Sequence, residues 1–324
     1  MNDNLITTKD ITRESNMQDK IKELKSNIGK KFIGKDEIVH DLIVALLSGG
    51  HVLIEDVPGV GKTTLAKALA LSVKASFARI QFTPDTLPTD ITGTSIFNQQ
   101  EQVFSIVKGP IHNHMILADE INRTAPRTQS ALLEAMEEKQ VTIDGKTFIL
   151  PDPFMVIATE NPSEQLGTYP LPEAQLDRFL MKLSIGYPSA DMQKKMAQSF
   201  LTGELVQATE SVLTIDDILE MKKAVNEVII KDELVDYALK IVDDTRRLEE
   251  LEYGLSPRAS LELLSASRAN AFIKGRDYVI PEDIIEMSGV CLPHRLVLTA
   301  KAHMDRYTGK QLITRVIDKI KRPE

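Results

Sequence analysis

An α/β protein is what this sequence predicts: a parallel five-stranded sheet between two helical layers, followed by a smaller helical domain. Three observations carry that expectation. Five apolar runs, at 51–55, 77–82, 114–118, 154–158 and 179–184, have the length of strands and are rich in Ile, Val, Phe and Met. They lack polar alternation, as strands buried on both faces do. Helical patterns separate most of them, and strand–helix alternation builds a three-layer parallel sheet. After Pro188 the strand-like runs stop while helical patterns continue.

The elements follow in order. The first stretch, MNDNLITTKDITRESN, is polar and lacks the apolar core of a signal peptide. Residues 1–16 are expected to form a mobile tail, and the chain to be cytoplasmic. Residues 17–29 predict a short helix, and Asp36 to Leu47 a second. Helices are also expected over Gly61–Val73 and Pro126–Lys139, between the apolar runs. The segment 95–108 alternates around polar Asn98–Gln102, and 139–150 has an Asp144-Gly145 turn between β-prone arms. Both predict hairpins, the first set in the helix after strand two. Residues 17–188 would then be one domain and 189–324 the other. In the second, helices are expected over 190–207, from a capping box at Thr214 to Val228, and from Asp232 to Leu248. Ser256-Pro257 places a cap and a first-turn proline before a helix to Ile273, and Pro281 opens a last one. The tail from Lys301 is basic and weakly patterned, so this domain is expected to be all-helical.

Composition narrows the function. The chain has 324 residues, with 39 basic and 47 acidic side chains and a net charge of −8. That balance counts against strong non-specific binding to nucleic acid. No run approaches a transmembrane helix, so membrane insertion is not expected. Cys291, the single cysteine, excludes an intramolecular disulfide and reads as a small buried hydrophobe, with a catalytic thiol the remote alternative.

The chemistry lies at the ends of the strands. In HVLIEDVPGVGKTT an apolar strand (Val52, Leu53, Ile54) enters a Gly-rich turn and ends in Gly61-Lys62-Thr63. Glycines let successive N–H groups point at phosphate oxygens, and the helix that follows adds its partial positive charge. Lys62 would reach the β- and γ-phosphates and the Thr63 hydroxyl a magnesium ion. The full pattern has glycine where this chain has Asp56, which leaves Pro58 and Gly59 to shape the turn. HMILADE delivers Asp119 to the metal and Glu120 as general base at a strand's C-terminal end. FMVIATEN brings Asn161, whose amide could orient the lytic water, although Asn-Pro is also a common turn. Arg178 in LDRF could stabilise a transferring phosphoryl group in cis or from a neighbouring subunit. A surface salt bridge with Asp177 or Glu173 is its plainer role. Arg258 in LSPR could let the helical domain feel the γ-phosphate, or be a solvated helix arginine.

The ordered set DVPGVGKTT, ILADEINR, IATENP, LDRF and LSPRAS resembles the AAA+ ATPases. EDVPGVGKT, RIQFTPDTLPTDITGTS, ADEINRTAPRTQSALLEAMEE and LPEAQLDRFL resemble the MoxR family within them, over about residues 20–320. The resemblance makes Asp56 the family's own variant. It implies ATP and magnesium at Pro58, Gly59, Val60, Gly61, Lys62, Thr63 and Thr64, with Ile33 and Gly34 against the adenine. Thr63 and Asp119 would hold the metal, Glu120 would be the base, and Asn161 the first sensor. Arg178 would be a finger on the next subunit's nucleotide, and Arg258 the second sensor on the lid. Arg123 and Arg127 lie in matched sequence without an assigned role. The implied activity is ATP hydrolysis by a ring, a hexamer, that remodels or matures protein clients. In the family a von Willebrand factor A (VWA) partner and metal or cofactor insertion are implied, and the hairpins would face the pore or client. Two alternatives stand beside it. One is a motor on nucleic acid, kept alive by Lys108, Lys139 and Lys146 but opposed by the few aromatics in both hairpins. The other is a low-turnover nucleotide switch, opposed by Glu120.

Overall fold

The computed structural model describes residues 8–162, 168–202 and 210–323, with side chains from residue 16 onward. The chain opens with α1 (Thr8–Lys31), whose Ile21, Leu24 and Ile28 are buried. The expected tail is therefore shorter: its second half already belongs to this helix, and residues 1–7 lie outside the described ones. α2 (Asp36–Ser48) follows and buries seven residues, ending on Gly49 in the left-handed region.

β1 (Val52–Glu55) leads through the Gly-rich turn into α3 (Lys62–Ser72). β2 (Phe77–Gln81) precedes a short α4 (Pro88–Thr92). β3 (Gly93–Asn98) and β4 (Val103–Lys108) then form the first hairpin. The helix expected to hold that hairpin is only the five residues of α4, with a 3-10 turn at Pro110–His112 on the far side. β5 (Met115–Asp119) and α5 (Pro126–Glu138) come next. The second hairpin pairs β6 (Gln140–Ile143) with β7 (Lys146–Ile149) about the Asp144-Gly145 turn, where both residues have positive φ. β8 (Met155–Glu160), α6 (Glu173–Leu176) and β9 (Met181–Leu183) complete the first domain.

The five expected strands all form, in the order β2-β5-β8-β1-β9, and every pairing is parallel. Their continuous apolar runs are explained by the two faces. Val52, Ile54, Met115, Leu117, Met155 and Ile157 pack into the core beneath α1, α2 and α3. Leu53, Ile116, Ala118, Val156 and Ala158 pack into the other core, with α4 and α5. In β1, β5 and β8 alternation exists, but both destinations are dry, so no polar residue marks it; the edge strand β2 differs, with Arg79 and Gln81 exposed on either side of buried Ile80.

The second domain corrects the expectation in four places. α7 (Ala190–Leu201) is shorter than 190–207, and residues 203–209 lie outside the described ones. α8 (Ile215–Glu227) starts on the expected capping box: the Thr214 hydroxyl accepts from the Asp217 N–H and the Asp217 carboxylate accepts from the Thr214 N–H. α9 (Asp232–Thr245) stops three residues before Leu248. β10 (Leu251–Tyr253), α10 (Pro257–Ile273, capped by Ser256) and α11 (Pro281–Cys291) follow. The domain is not purely helical, since β10 pairs antiparallel with β11 (Val297–Leu298). Nor is α11 the last helix. α12 (Ala300–Met304) and α13 (Gly309–Lys319) come after it, and α13 buries Leu312, Ile313, Val316 and Ile317. Those four sit at helical spacing among basic residues, and the apolar stripe rather than the charge decides their fate.

Candidate functional site

The Gly-rich turn lies at the C-terminal end of β1, between β8 and β9. Gly59 and Gly61 have φ of +85° and +95°, a backbone that L side chains rarely adopt. A Cβ at Gly61 would also meet the Phe32 ring at 3.2 Å. Lys62 is the first helical residue, so its N–H and those of Thr63 and Thr64 are among the free donors of the α3 N-terminus. Its ammonium is buried and donates to the Asp56 carbonyl at 2.6 Å and the Glu160 carbonyl at 3.3 Å. Burial lowers its pKa, against the carboxylates of Asp119, Asp56 and Glu120, which raise it. No carboxylate of the described residues pairs with it directly, so phosphate oxygens can take over from two carbonyls.

β5 carries Asp119 and Glu120 beside it. The Thr159 hydroxyl donates to Asp119 Oδ1 at 2.6 Å, and Arg79 of β2 donates to Oδ2 through Nη2 at 2.7 Å and Nε at 3.1 Å. Glu120 has φ +59° and ψ 50°, left-handed and rare outside glycine. Its N–H is held by the Thr159 oxygen at 2.9 Å. Its Oε2 accepts from Gln81 Nε2 and from Arg123 Nη1, both at 2.8 Å. Asn161 follows β8 directly and is 2% exposed. Asp119, Glu120 and Asn161 thus end neighbouring strands next to the phosphate turn. Arg123, without a role in the sequence, is an ion-pair partner of Glu120, whereas Arg127 is exposed on the first turn of α5.

A cleft of about 80 Å³ adjoins the turn. Ile33, Gly59, Val60, Gly61 and Thr64 line it from the first domain, Ile185, Gly186 and Pro188 from the connector, and Met196 from α7. Gly34 (φ +80°) lies under Met192, whose side chain would be 2.7 Å from a Cβ there. Glycine allows this close approach between the two domains.

The two remaining site candidates are elsewhere. Arg178 Nη1 donates to the Leu133 carbonyl at 3.1 Å and pairs with Glu137 near the end of α5. Arg258 Nη1 pairs with the same Glu137 at 3.1 Å, and its Nε with Glu262 at 2.9 Å. Arg295, 1% exposed at its side chain, ties Glu262 to Asp177. This network is at the N-terminal end of the strands. The Leu180 N–H bonds the His51 carbonyl, just before β1 starts, while the phosphate turn comes after β1 ends. From His51 to Glu55 is about 13 Å at ~3.3 Å per residue. The strand direction thus puts the lid's Arg258 beside Arg178, at the end of the sheet opposite the phosphate turn of its own chain.

Sequence reasoning missed Arg79, Gln81, Thr159 and Glu137 as members of these clusters. The first two left a signal: polar side chains at alternate positions of a strand whose Ile80 is buried.

A phosphate-binding turn, an acidic pair at the next strand but one, a parallel five-stranded sheet and a helical lid define an AAA+-type ATPase architecture. Residues 51–181 match the model of the ATPase family associated with various cellular activities (AAA), and residues 243–316 that of the AAA lid domain. The chain is 46% identical to YeaC of Bacillus subtilis, over 92% of this chain and 93% of that protein. It is 44% identical to Chaperone MoxR1 of Mycobacterium tuberculosis, over 90% and 79%. The crystal structure of a candidate ATPase from Cytophaga hutchinsonii superposes with a TM-score of 0.91 at 38% identity, covering 98% of this chain and all of that one. The chain belongs to the MoxR family of AAA+ ATPases. No described helix is long and apolar enough to cross a membrane.

Proposed function

We propose that this chain hydrolyses ATP at sites shared between neighbouring copies in a ring, a hexamer, and uses the cycle to remodel or mature protein clients. One observation carries the reading: Lys62, Asp119, Glu120 and Asn161 gather at one end of the sheet, while Arg178 and Arg258 are paired on Glu137 at the other. A copy placed head to tail would present its arginine pair to the next copy's phosphate turn, the heterologous contact that closes rings.

The residues fit their groups. The α3 N-terminus and Lys62 hold the phosphates, and the Ile33–Met196 cleft receives the base. Thr63, and Asp119 once Arg79 gives up its Oδ2, would offer oxygen ligands to magnesium, which when bound would supply charge neutralisation on the phosphates. Glu120 takes a proton from the attacking water once Gln81 and Arg123 release its Oε2. Asn161 orients that water. Arg178 and Arg258, drawn off Glu137, stabilise the transferring phosphoryl group of the neighbour. The likeness to Chaperone MoxR1 supports the client role; a VWA-domain partner and a part in metal or cofactor insertion rest on the family resemblance alone.

The experiment is ATP turnover against protein concentration. A rate per chain that rises with concentration, and is lost in Arg178→Ala, supports shared sites. A concentration-independent rate untouched by Arg178→Ala defeats the ring and leaves a monomeric ATPase.

A further inference from the structure

Asp56 stands where the phosphate-loop pattern has glycine, and its side chain is not idle. It is buried. Oδ2 accepts the Gly186 N–H at 2.6 Å and the Ser184 hydroxyl at 3.2 Å, and Oδ1 accepts the Val57 N–H at 2.9 Å. Residues 184–188 are the connector from β9 to α7, the passage from the nucleotide domain to the lid. Gly186 there has φ +64°, so the connector bends at the residue Asp56 holds. Ile185, Gly186 and Pro188 also wall the cleft beside the phosphate turn.

The main chain of Asp56 points the other way, into the site. Its carbonyl is the closer of the two acceptors of the Lys62 ammonium, and its N–H bonds the Glu160 carbonyl at 3.2 Å, one residue before Asn161. One residue therefore touches the phosphate lysine, the strand end that carries the sensor amide, and the hinge of the lid.

We propose that Asp56 is a positioning residue that conveys occupancy of the phosphate turn to the lid connector, through its hydrogen bonds from Gly186 and Ser184. This rests on the ATP site proposed above. When Lys62 turns to phosphate oxygens, the Asp56 carbonyl loses its charge-assisted donor and the start of the turn re-seats. The carboxylate, fixed to 184–186, moves the connector with it. Glycine at this position would keep the cradle and cut the link. Charge-assisted bonds to backbone N–H groups are among the stronger ones, so the link is stiff enough to carry a shift.

The test uses the full chain with magnesium and a fluorescent ATP analogue, comparing wild type with Asp56→Gly, Asp56→Asn and Ser184→Ala. Analogue affinity, ATP turnover, and amide hydrogen exchange over 182–190 with and without nucleotide are measured. We expect wild type to bind the analogue and to change exchange over 184–188 on binding. Asp56→Gly keeps affinity within about threefold but loses that response, and its kcat falls about tenfold with KM little changed. Asp56→Asn, which can still accept the Gly186 N–H, recovers part of both. Ser184→Ala weakens the response and leaves the cradle whole. An intact exchange response in Asp56→Gly overturns the proposal. If that variant does not fold, an unchanged response in Ser184→Ala overturns it instead. A wild type that binds no analogue defeats the ATP-site reading itself, an outcome distinct from binding without a response.

Discussion

Mixing two inactive variants tests where Arg178 acts. Lys62→Ala removes the ammonium that reaches the phosphates, and Arg178→Ala removes a guanidinium held by Glu137 and the Leu133 carbonyl. Leu180 is level with His51, about 13 Å of strand before the phosphate turn begins, so in the proposed ring Arg178 would serve a neighbouring chain. In an equimolar mixture a working site needs an Arg178→Ala chain to hold ATP and a Lys62→Ala chain beside it. Random assembly gives that pairing at about one site in four, whatever the ring size, because the head-to-tail contact is heterologous. The mixture should therefore turn over ATP at about one quarter of the wild-type rate per chain, while each variant alone is nearly dead, as expected when an arginine finger worth ~10³ in kcat is lost. Steady-state turnover by a coupled assay, at concentrations where wild type is fully assembled, reads this directly. Arg258→Ala mixed with Lys62→Ala is expected to give the same quarter. A mixture as dead as its components would mean that the arginine serves its own chain's nucleotide, and would refute the argument from strand direction.

Three further outcomes follow from particular residues. Glu120→Gln should lower turnover by about 10²–10⁴ while the fluorescent analogue still binds, measured by single-turnover kinetics and anisotropy. Asp41 is pushed up to about 7 by burial, with Glu286 and Glu37 adding to it and Lys25 opposing. The folded chain therefore holds a proton that the unfolded chain has released, so stability falls as pH rises from about 4 to about 7. Asp41→Asn should accordingly stabilise the protein at pH 8 and change little at pH 3.5, read from urea denaturation at the two pH values. Leu312→Ala in α13, where the side chain is 1% exposed, should cost the lid about 3 kcal/mol in the same assay.

The five strands, both hairpins and most helices could be read from the sequence, because short range settles them. Apolar runs of strand length, an Asp-Gly turn, and the Thr214 and Ser256 caps each act within a few residues. The stripe of α13, Leu312, Ile313, Val316 and Ile317, is short and set among Lys310, Arg315 and Lys319, so the basic character of the segment masks its helical spacing. Its burial depends on α9 and α11, which are distant in sequence. β10 and β11 escape a reading from sequence because three and two residues carry no period, and only their pairing makes them strands.

The phosphate turn and acidic pair were equally local, since each follows its strand directly. The position of Arg258 relative to the sheet is not local, and it shows what a motif omits. LSPR states that an arginine begins a lid helix, not which end of the sheet the lid covers. That is decided by Arg295, which is buried between Glu262 of α10 and the Asp177 carboxylate and donates to the Phe179 carbonyl at 2.8 Å. A buried guanidinium with partners on both domains fixes their docking, because moving either would leave a charge unpaired in a dry interior. The lid is thereby anchored at the N-terminal end of the strands, with Ser256 also donating to Asp177. Its other attachment, the connector held by Asp56, is at the C-terminal end. A lid fixed at both ends of the sheet can couple the two, so an event at the phosphate turn has a path, through one chain, to Arg178 and Arg258, the pair that the proposed ring would offer to the next copy.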